Sequence, residues 1–249
     1  MTQEEIKNAL QLPVIKQYET YLGLPSMVGR SKYASFTQLK EQMWRKVQGW
    51  EEKLLTQASK EILIKAVIQA IPTYTMHCFK LPKKLCSDSE GIIRNFWWGH
   101  KGASRKVHWM KWSSLCWLKC LGGMGFRKLM KFNEAFLAKQ VWRLFHNKES
   151  LIYKVFKAKF FPHGTIMDAR HSARASYAWK SILNARHVIT KGTWWHIGNG
   201  LSMKIWSDKW LPPPSSGKPL TPPCILPHDA CFSTLILDAP SMWNTSLIE

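Results

Sequence analysis

The chain has 249 residues, enough for one large domain or two small ones, and 45% of them are apolar, which is ample for a core. Its 36 Lys+Arg against 16 Asp+Glu leave a net charge of +20, which favours a polyanionic partner, most often nucleic acid, since cations beside phosphates release condensed counterions. The other source of such an excess is a basic fragment separated from an acidic partner domain.

Glu4 and Glu5 stand where a secretory leader would need an apolar run, so none is expected. Nor is a membrane span, because the best apolar stretch, Ile62 to Ile71, is broken by Lys65 and Gln69. The six cysteines show no disulfide framework, and the expected setting is intracellular, nuclear or cytoplasmic, with reduced thiols.

Residues 1–11 read as a frayed, weakly helical start. Val14-Ile15 and Tyr21-Leu22-Gly23 suggest short extended pieces, ended by Pro25, and Arg30 and Lys32 follow as candidate phosphate contacts. Phe36, Leu39, Met43, Val47 and Trp50 recur at three- and four-residue steps, which predicts an amphipathic helix over 35–49, closed by Gly49. A second helix is expected over 58–71, with Leu63, Ala66, Val67 and Ala70 inward, Lys60 and Lys65 off that face, and Pro72 as its stop. A third spans 83–97, with Leu85, Ile92, Ile93 and Phe96 inward.

Gly99 and Gly102 then mark a loop in which Lys101, Arg105 and Lys106 are flanked by Trp98 and Trp109. Cations interleaved with aromatics can bind single strands by charge and stacking. The competing reading is a hairpin whose tryptophans anchor the neighbouring helices, and it is the preferred one for these tryptophans. A glycine turn, Gly122-Gly123-Met124-Gly125, leads into a central helix. Leu129, Phe132, Phe136, Leu137, Val141 and Leu144 form its apolar stripe, with Lys128, Lys131, Lys139 and Arg143 largely off it. A fifth helix is defined by Leu151, Ile152, Val155 and Phe156, and a sixth by Tyr177, Trp179, Ile182 and Leu183, with Ser176 as N-cap. Residues 193–212 read as a hairpin about Gly198-Asn199-Gly200, and Pro212 to Pro223 as an extended linker.

Several of these stretches carry a family resemblance. GGMGFRKLMKFNEAFLAKQVWRLF, YLGLPSMVGRSK, FWWGHKGASRKVHWMKWSSLC and TWWHIGNGLSMKIWSDKWLP resemble plant non-LTR retrotransposon reverse transcriptase polyproteins, in the part that follows the polymerase palm. Asn133, Ala135, Leu137 to Gln140, Trp142 and Arg143 match that family's N-x-A-x-LAKQ-x-WR helix. The likeness covers about residues 12–211 and departs at Leu118, where the family usually has proline.

The resemblance implies a mainly α fold: a short N-terminal β piece (1–34) like the primer-grip strand, a helical thumb-like region (35–98), a helical post-thumb region with a C-terminal β-hairpin (99–211), and a flexible tail (212–249). A helical thumb packs beside a template–primer duplex, so the expected partner is the backbone of RNA or DNA. The contacts expected are Arg30, Lys32, Lys60, Lys65, Lys101, Arg105 and Lys106.

No catalytic site is expected. Two-metal polymerisation needs closely placed carboxylates, and Asp88, Asp168, Asp208, Asp229 and Asp238 are scattered. In the family, the palm lies before this region and any ribonuclease-H-like domain lies after it. No cofactor or metal is expected either. Cys116 and Cys120 with His108, and Cys224, His228 and Cys231, each lack a convincing further ligand, and adjacent His77 and Cys78 point apart. The function read from the sequence is a catalytically incompetent fragment of such a polyprotein that keeps a basic nucleic-acid-binding surface. The alternative is a decayed transposon reading frame with no selected role.

Overall fold

Two long helices, α1 (Lys32–Glu51) and α4 (Lys83–Trp98), lie side by side and run in the same sense. Near their starts the Tyr33 hydroxyl donates to Asp88 at 2.7 Å, and near their ends Trp50 meets Phe96 with ring centroids 5.8 Å apart. The structure, a computed structural model, describes residues 20–21, 23–51, 53–99, 106–173, 175–201, 203–212, 214–220, 225–237 and 242–244. The chain divides into two compact units, Met1–Arg186 and His187–Glu249.

The first unit is mainly helical. β1 (Thr20–Tyr21) and β2 (Leu24–Pro25) make a two-rung antiparallel hairpin about Gly23. Val14 and Ile15 lie outside the described residues. Helix α1 begins under a Ser31 side chain that accepts from the Ala34 amide, and it runs through Gly49 rather than stopping there. Gly49 keeps negative φ, and no neighbouring chain comes close to it, so nothing at that position forces an end.

Helix α2 (Gln57–Leu63), capped by the Thr56 side chain, widens into a π-helical turn over Ile64–Ile68, where the Gln69 amide donates to the Ile64 carbonyl. The wider turn changes the helical phase. Ile64, Ile68 and Gln69 are buried, while Ala66 and Ala70, expected inward, are exposed. Pro72 then opens α3 (Thr73–Cys78). Helix α4 follows Pro82 and ends at left-handed Gly99, burying Leu85, Ile92, Ile93 and Phe96 as expected, together with Trp97.

A short helix α5 (Trp112–Leu115) and a 3-10 turn (Lys119–Leu121) lead into the glycine turn. There the Met124 and Phe126 amides donate to the Leu115 carbonyl, and the Gly125 amide to that of Trp117. The turn lies so close to Trp117 that a Cβ on Gly123 would overlap the Trp117 backbone. Its purpose is visible in Phe126, which is buried edge-on to Trp97 (5.2 Å, 78°) and stacked on Trp112 (5.7 Å, 15°).

Helix α6 (Leu129–His146) buries Leu129, Asn133, Leu137, Ala138, Val141 and Leu144. The stripe expected from the sequence had Phe132 and Phe136 in place of Asn133. Both are only half-buried and pack on each other (4.3 Å), with Phe136 also against His77 (4.1 Å). Asn133 turns inward because its amide is fully used: Oδ1 accepts from the Leu81 N–H (2.8 Å), and Nδ2 donates to the Met76 and Phe79 carbonyls (2.9 Å each). These are the groups left over where α3 ends, and burying them unpaired would be costly. Helix α7 (Leu151–Phe160), capped by Ser150, packs Phe156 and Phe160 on the buried ring of Trp179 in α8 (Tyr177–Asn184), which Ser176 caps. Leu151 and Val155, which helped to define α7 in the sequence, are exposed.

The second unit begins within α9 (Arg186–Gly192). Among the described residues of 193–212 no hairpin forms. Lys204 instead bridges Cys231 in antiparallel fashion, the Phe232 amide donates to the Met203 carbonyl, and Met203, Ile205, Ala230, Phe232 and Leu235 share a small core. The tail therefore pairs with residues 203–205, while within the segment the Trp195 amide donates to the Lys209 carbonyl. Gly200 serves that approach, since a Cβ there would lie 2.6 Å from the Ser233 amide. The C-terminal hairpin of the expected fold is present further on, as β3 (Ile236–Leu237) paired with β4 (Met242–Trp243).

Asn133 yields the first test. Asn133→Ala leaves buried backbone groups unpaired and is expected to cost ~1–3 kcal/mol. Asn133→Asp sets a carboxylate against two carbonyls and is expected to cost more, ~3–5 kcal/mol at neutral pH. Because that buried carboxyl titrates above its unfolded value, the loss should shrink as pH falls through the raised value. Denaturant melts of both variants at neutral and acidic pH read this out.

Candidate nucleic-acid interface

The cations expected at the interface fall into separate groups. Arg30 is exposed just ahead of α1. Lys32 donates to the Gly29 carbonyl (2.6 Å) and sits 4.9 Å above the Tyr177 ring, while Lys84 lies 5.5 Å from the Tyr33 ring. This group belongs to the start of α4. Lys101 and Arg105 lie outside the described residues.

At the other end of α4, about 18 Å along the helix from Lys84 to Phe96 at ~1.5 Å per residue, a second group gathers. Lys60, from α2, lies 5.9 Å from the Phe96 ring. A Cβ placed on Gly99 would be 3.2 Å from Lys60 Nζ and 3.9 Å from Lys106 Nζ, so two ammonium groups from distant segments converge on one glycine. One turn further along the same helix, Lys65 lies 5.9 Å from the Phe126 ring and 2.7 Å from Glu61. Lys119 reaches the same Glu61 oxygen, also at 2.7 Å.

Glu61 is thus a carboxylate shared by two lysines. Its side chain is only 17% exposed, and donation from Lys119 first and Lys65 second holds its carboxyl below the ordinary value of 4.5. For a depressed carboxylate the linked stability is fully present above that value and is lost as pH falls through the folded one. Glu61 and Lys65 are an i,i+4 helix pair, a spacing the sequence contains. Lys119 was not, since only the fold brings the 3-10 turn to α2. Lys65 and Lys119 at Glu61 and Lys60 and Lys106 at Gly99 make a cationic cluster in which the Lys60 and Lys65 ammonium groups lie within 5.9 Å of aromatic rings, close enough for cation–π attraction.

The aromatics of this region divide in two. Trp97 and Trp112 hold Phe126 in the core, and Trp98 stacks on His108 (6.1 Å, 23°). Trp109 is 83% exposed and Trp117 54%. The anchoring role preferred from the sequence thus holds for Trp98 but not for Trp109.

Glu90 sets the neighbouring helix. Its Oε1 accepts from the Leu129 N–H at 2.7 Å, so α4 supplies the N-terminal cap that α6 lacks in its own sequence. Burial raises the Glu90 carboxyl despite that bond. Burial likewise pushes the thiols of Cys86 to about 12 and Cys116 to about 11, keeping both protonated. At His77 and Cys78, burial favours the neutral imidazole and the neutral thiol, the opposite of an activated pair. Among the described residues no three His, Cys, Asp or Glu side chains gather as a metal site, and no helix is long and apolar enough to cross a membrane. Cys224 lies outside those residues.

Glu90→Ala is expected to cost ~1 kcal/mol through loss of the cap. Glu90→Gln keeps an acceptor without a buried charge and should cost less than half as much. Wild type gains stability as pH falls through the raised Glu90 value, and the Gln variant should lose that gain, a difference that melts across acidic pH will show.

No family model matches the chain. It is 33% identical over 201 residues to a provisionally named ribonuclease H protein of Arabidopsis thaliana, a match that takes in 79% of this chain and 32% of that relative. It is 39% identical over 143 residues to an uncharacterized mitochondrial protein of the same plant, covering 57% of this chain and 93% of that one. Since the match takes in nearly the whole of the shorter relative, the chain belongs to the family of that Arabidopsis mitochondrial protein.

Proposed function

We propose that the chain is a catalytically incompetent fragment of a plant non-LTR retrotransposon reverse transcriptase, which binds the phosphate backbone of RNA or DNA through the cluster at the end of α4. The observation that carries the reading is the convergence of Lys60 and Lys106 on Gly99, beside Lys65 and Lys119. A net charge of +20 supplies long-range attraction for a polyanion. The chain spans 32% of its ribonuclease-H-named relative, which accords with a segment that carries binding surface apart from a nuclease domain.

Three aspartates have local structural roles, which supports a non-catalytic reading. Asp88 accepts from Tyr33, Asp168 from the amide and hydroxyl of Thr165, and Asp208 from the Lys204 amide. They sit on different elements, whereas two-metal chemistry needs its carboxylates around one pair of ions. The full chain with template, primer and Mg²⁺ or Mn²⁺ is expected to incorporate no nucleotide. Incorporation that an aspartate substitution abolishes would refute this.

Binding should be phosphate-dominated and weakly sequence-specific. If about five cations engage a duplex, log K falls against log salt with a slope near −4.5, at ~−0.9 per phosphate. Lys60→Ala with Lys106→Ala should flatten it by about two units. Glu61→Gln releases Lys65 and Lys119 from their shared carboxylate and should steepen it by up to two. A slope that neither change moves would mean that these residues only face solvent. No binding to any polyanion at low salt would favour the decayed reading frame instead.

A further inference from the structure

We propose that Trp109 stacks on unpaired bases, so that the surface around Lys60 and Lys106 takes single-stranded nucleic acid in preference to duplex. This rests on the phosphate-binding reading above and names its ligand more closely.

A single exposed apolar side chain needs no explanation. Trp109 differs in its setting. Trp97 and Trp112 pack on Phe126 and Trp98 packs on His108, while Trp117 is exposed to a lesser degree than Trp109. Only one residue beyond His108, Trp109 is 83% exposed, with Val107 and Met110 exposed on either side. Residues 106–109 form neither helix nor strand, and the His108 ring fixes them against the end of α4.

Charge sits within reach. Lys106 is three residues away, at most ~11 Å along an extended chain, and its ammonium shares Gly99 with that of Lys60. Lys111, two residues further on, is exposed as well. A phosphate held between Lys60 and Lys106 therefore places the bases of the same strand beside the indole. In a duplex those bases are stacked and paired, with no free face to offer. In a single strand each base has a π-face for an aromatic platform, while cations track the backbone. Charge alone would favour the more densely charged duplex, and the indole is what turns the preference towards the single strand.

The test uses the full chain and three probes at one low salt concentration: an oligothymidylate, an abasic deoxyribose-phosphate oligomer of equal length, and a duplex. The thymidylate is expected to bind roughly 5- to 150-fold tighter than the abasic oligomer, the equivalent of ~1–3 kcal/mol for a stacked base. Trp109→Ala should erase that ratio and leave the abasic affinity and the melting temperature unchanged, and Trp109→Phe should restore part of it. Equal affinity for thymidylate and abasic oligomers, or a Trp109→Ala loss shared by both, overturns the proposal and leaves phosphate binding standing. If none of the probes binds, the phosphate-binding reading falls as well.

Discussion

The amide of Asn133 is the interaction on which the first unit most depends. It is 3% exposed and satisfies one N–H and two carbonyls where the chain leaves α3 and turns towards α4. A carboxylate could not donate and an apolar side chain could do neither, so the site calls for a side chain with both donor and acceptor. Lys80, inside the clamped segment, offers its carbonyl to the Tyr177 hydroxyl, and the Tyr177 ring stacks on Phe79. One buried amide thereby holds α3 on α6, sets the start of α4 and indirectly seats α8.

A second constraint works at the far end of α4. The turn before α6 can place Phe126 between Trp97 and Trp112 only by bringing backbone against backbone at Trp117, which is why Gly123 has no side chain. That tight passage carries Lys119 onto Glu61 and lets the Phe126 ring support Lys65. The basic cluster is thus a consequence of core packing: the aromatic contacts fix the backbone, and the backbone fixes where four lysines come together.

Some helix ends were legible in the sequence and others were not. Gly99 and Ser176 act where the left-handed backbone and the side-chain oxygen require, although Gly49, expected to close α1, lies inside it. Helix phase was less legible, and in two places polar hydrogen bonding explains why. Apolar periodicity placed Phe132 and Phe136 inward, but it cannot register the pull of the Met76 and Phe79 carbonyls on Asn133. It also assumes 3.6 residues per turn, which the π turn at Ile64–Ile68 does not keep. The GNG signal at 198–200 pointed to a local hairpin because turn chemistry describes only its own neighbours. Gly200 instead makes room for residues 232 and 233, a long-range demand that a local pattern does not contain. In the candidate interface, Lys60 and Lys65 were legible as off-face cations, whereas Lys119 enters only through the fold.

The exposed side chains at the interface can be separated from those that fold the unit. Trp97, Trp112 and Phe126 complete the core, and Glu90 caps α6, so none of these groups is available to a partner. Lys106 and Trp109 belong to no buried cluster. The lysines raise the self-repulsion of a chain already at +20, and an indole left in water forgoes the burial that its neighbours achieve. Both features weaken the isolated molecule slightly, and both become favourable against a flexible polyanion whose bases are free. Glu61 sets the balance between the two situations: it relieves repulsion between Lys65 and Lys119 when the surface is empty, at the expense of charge available to a bound strand.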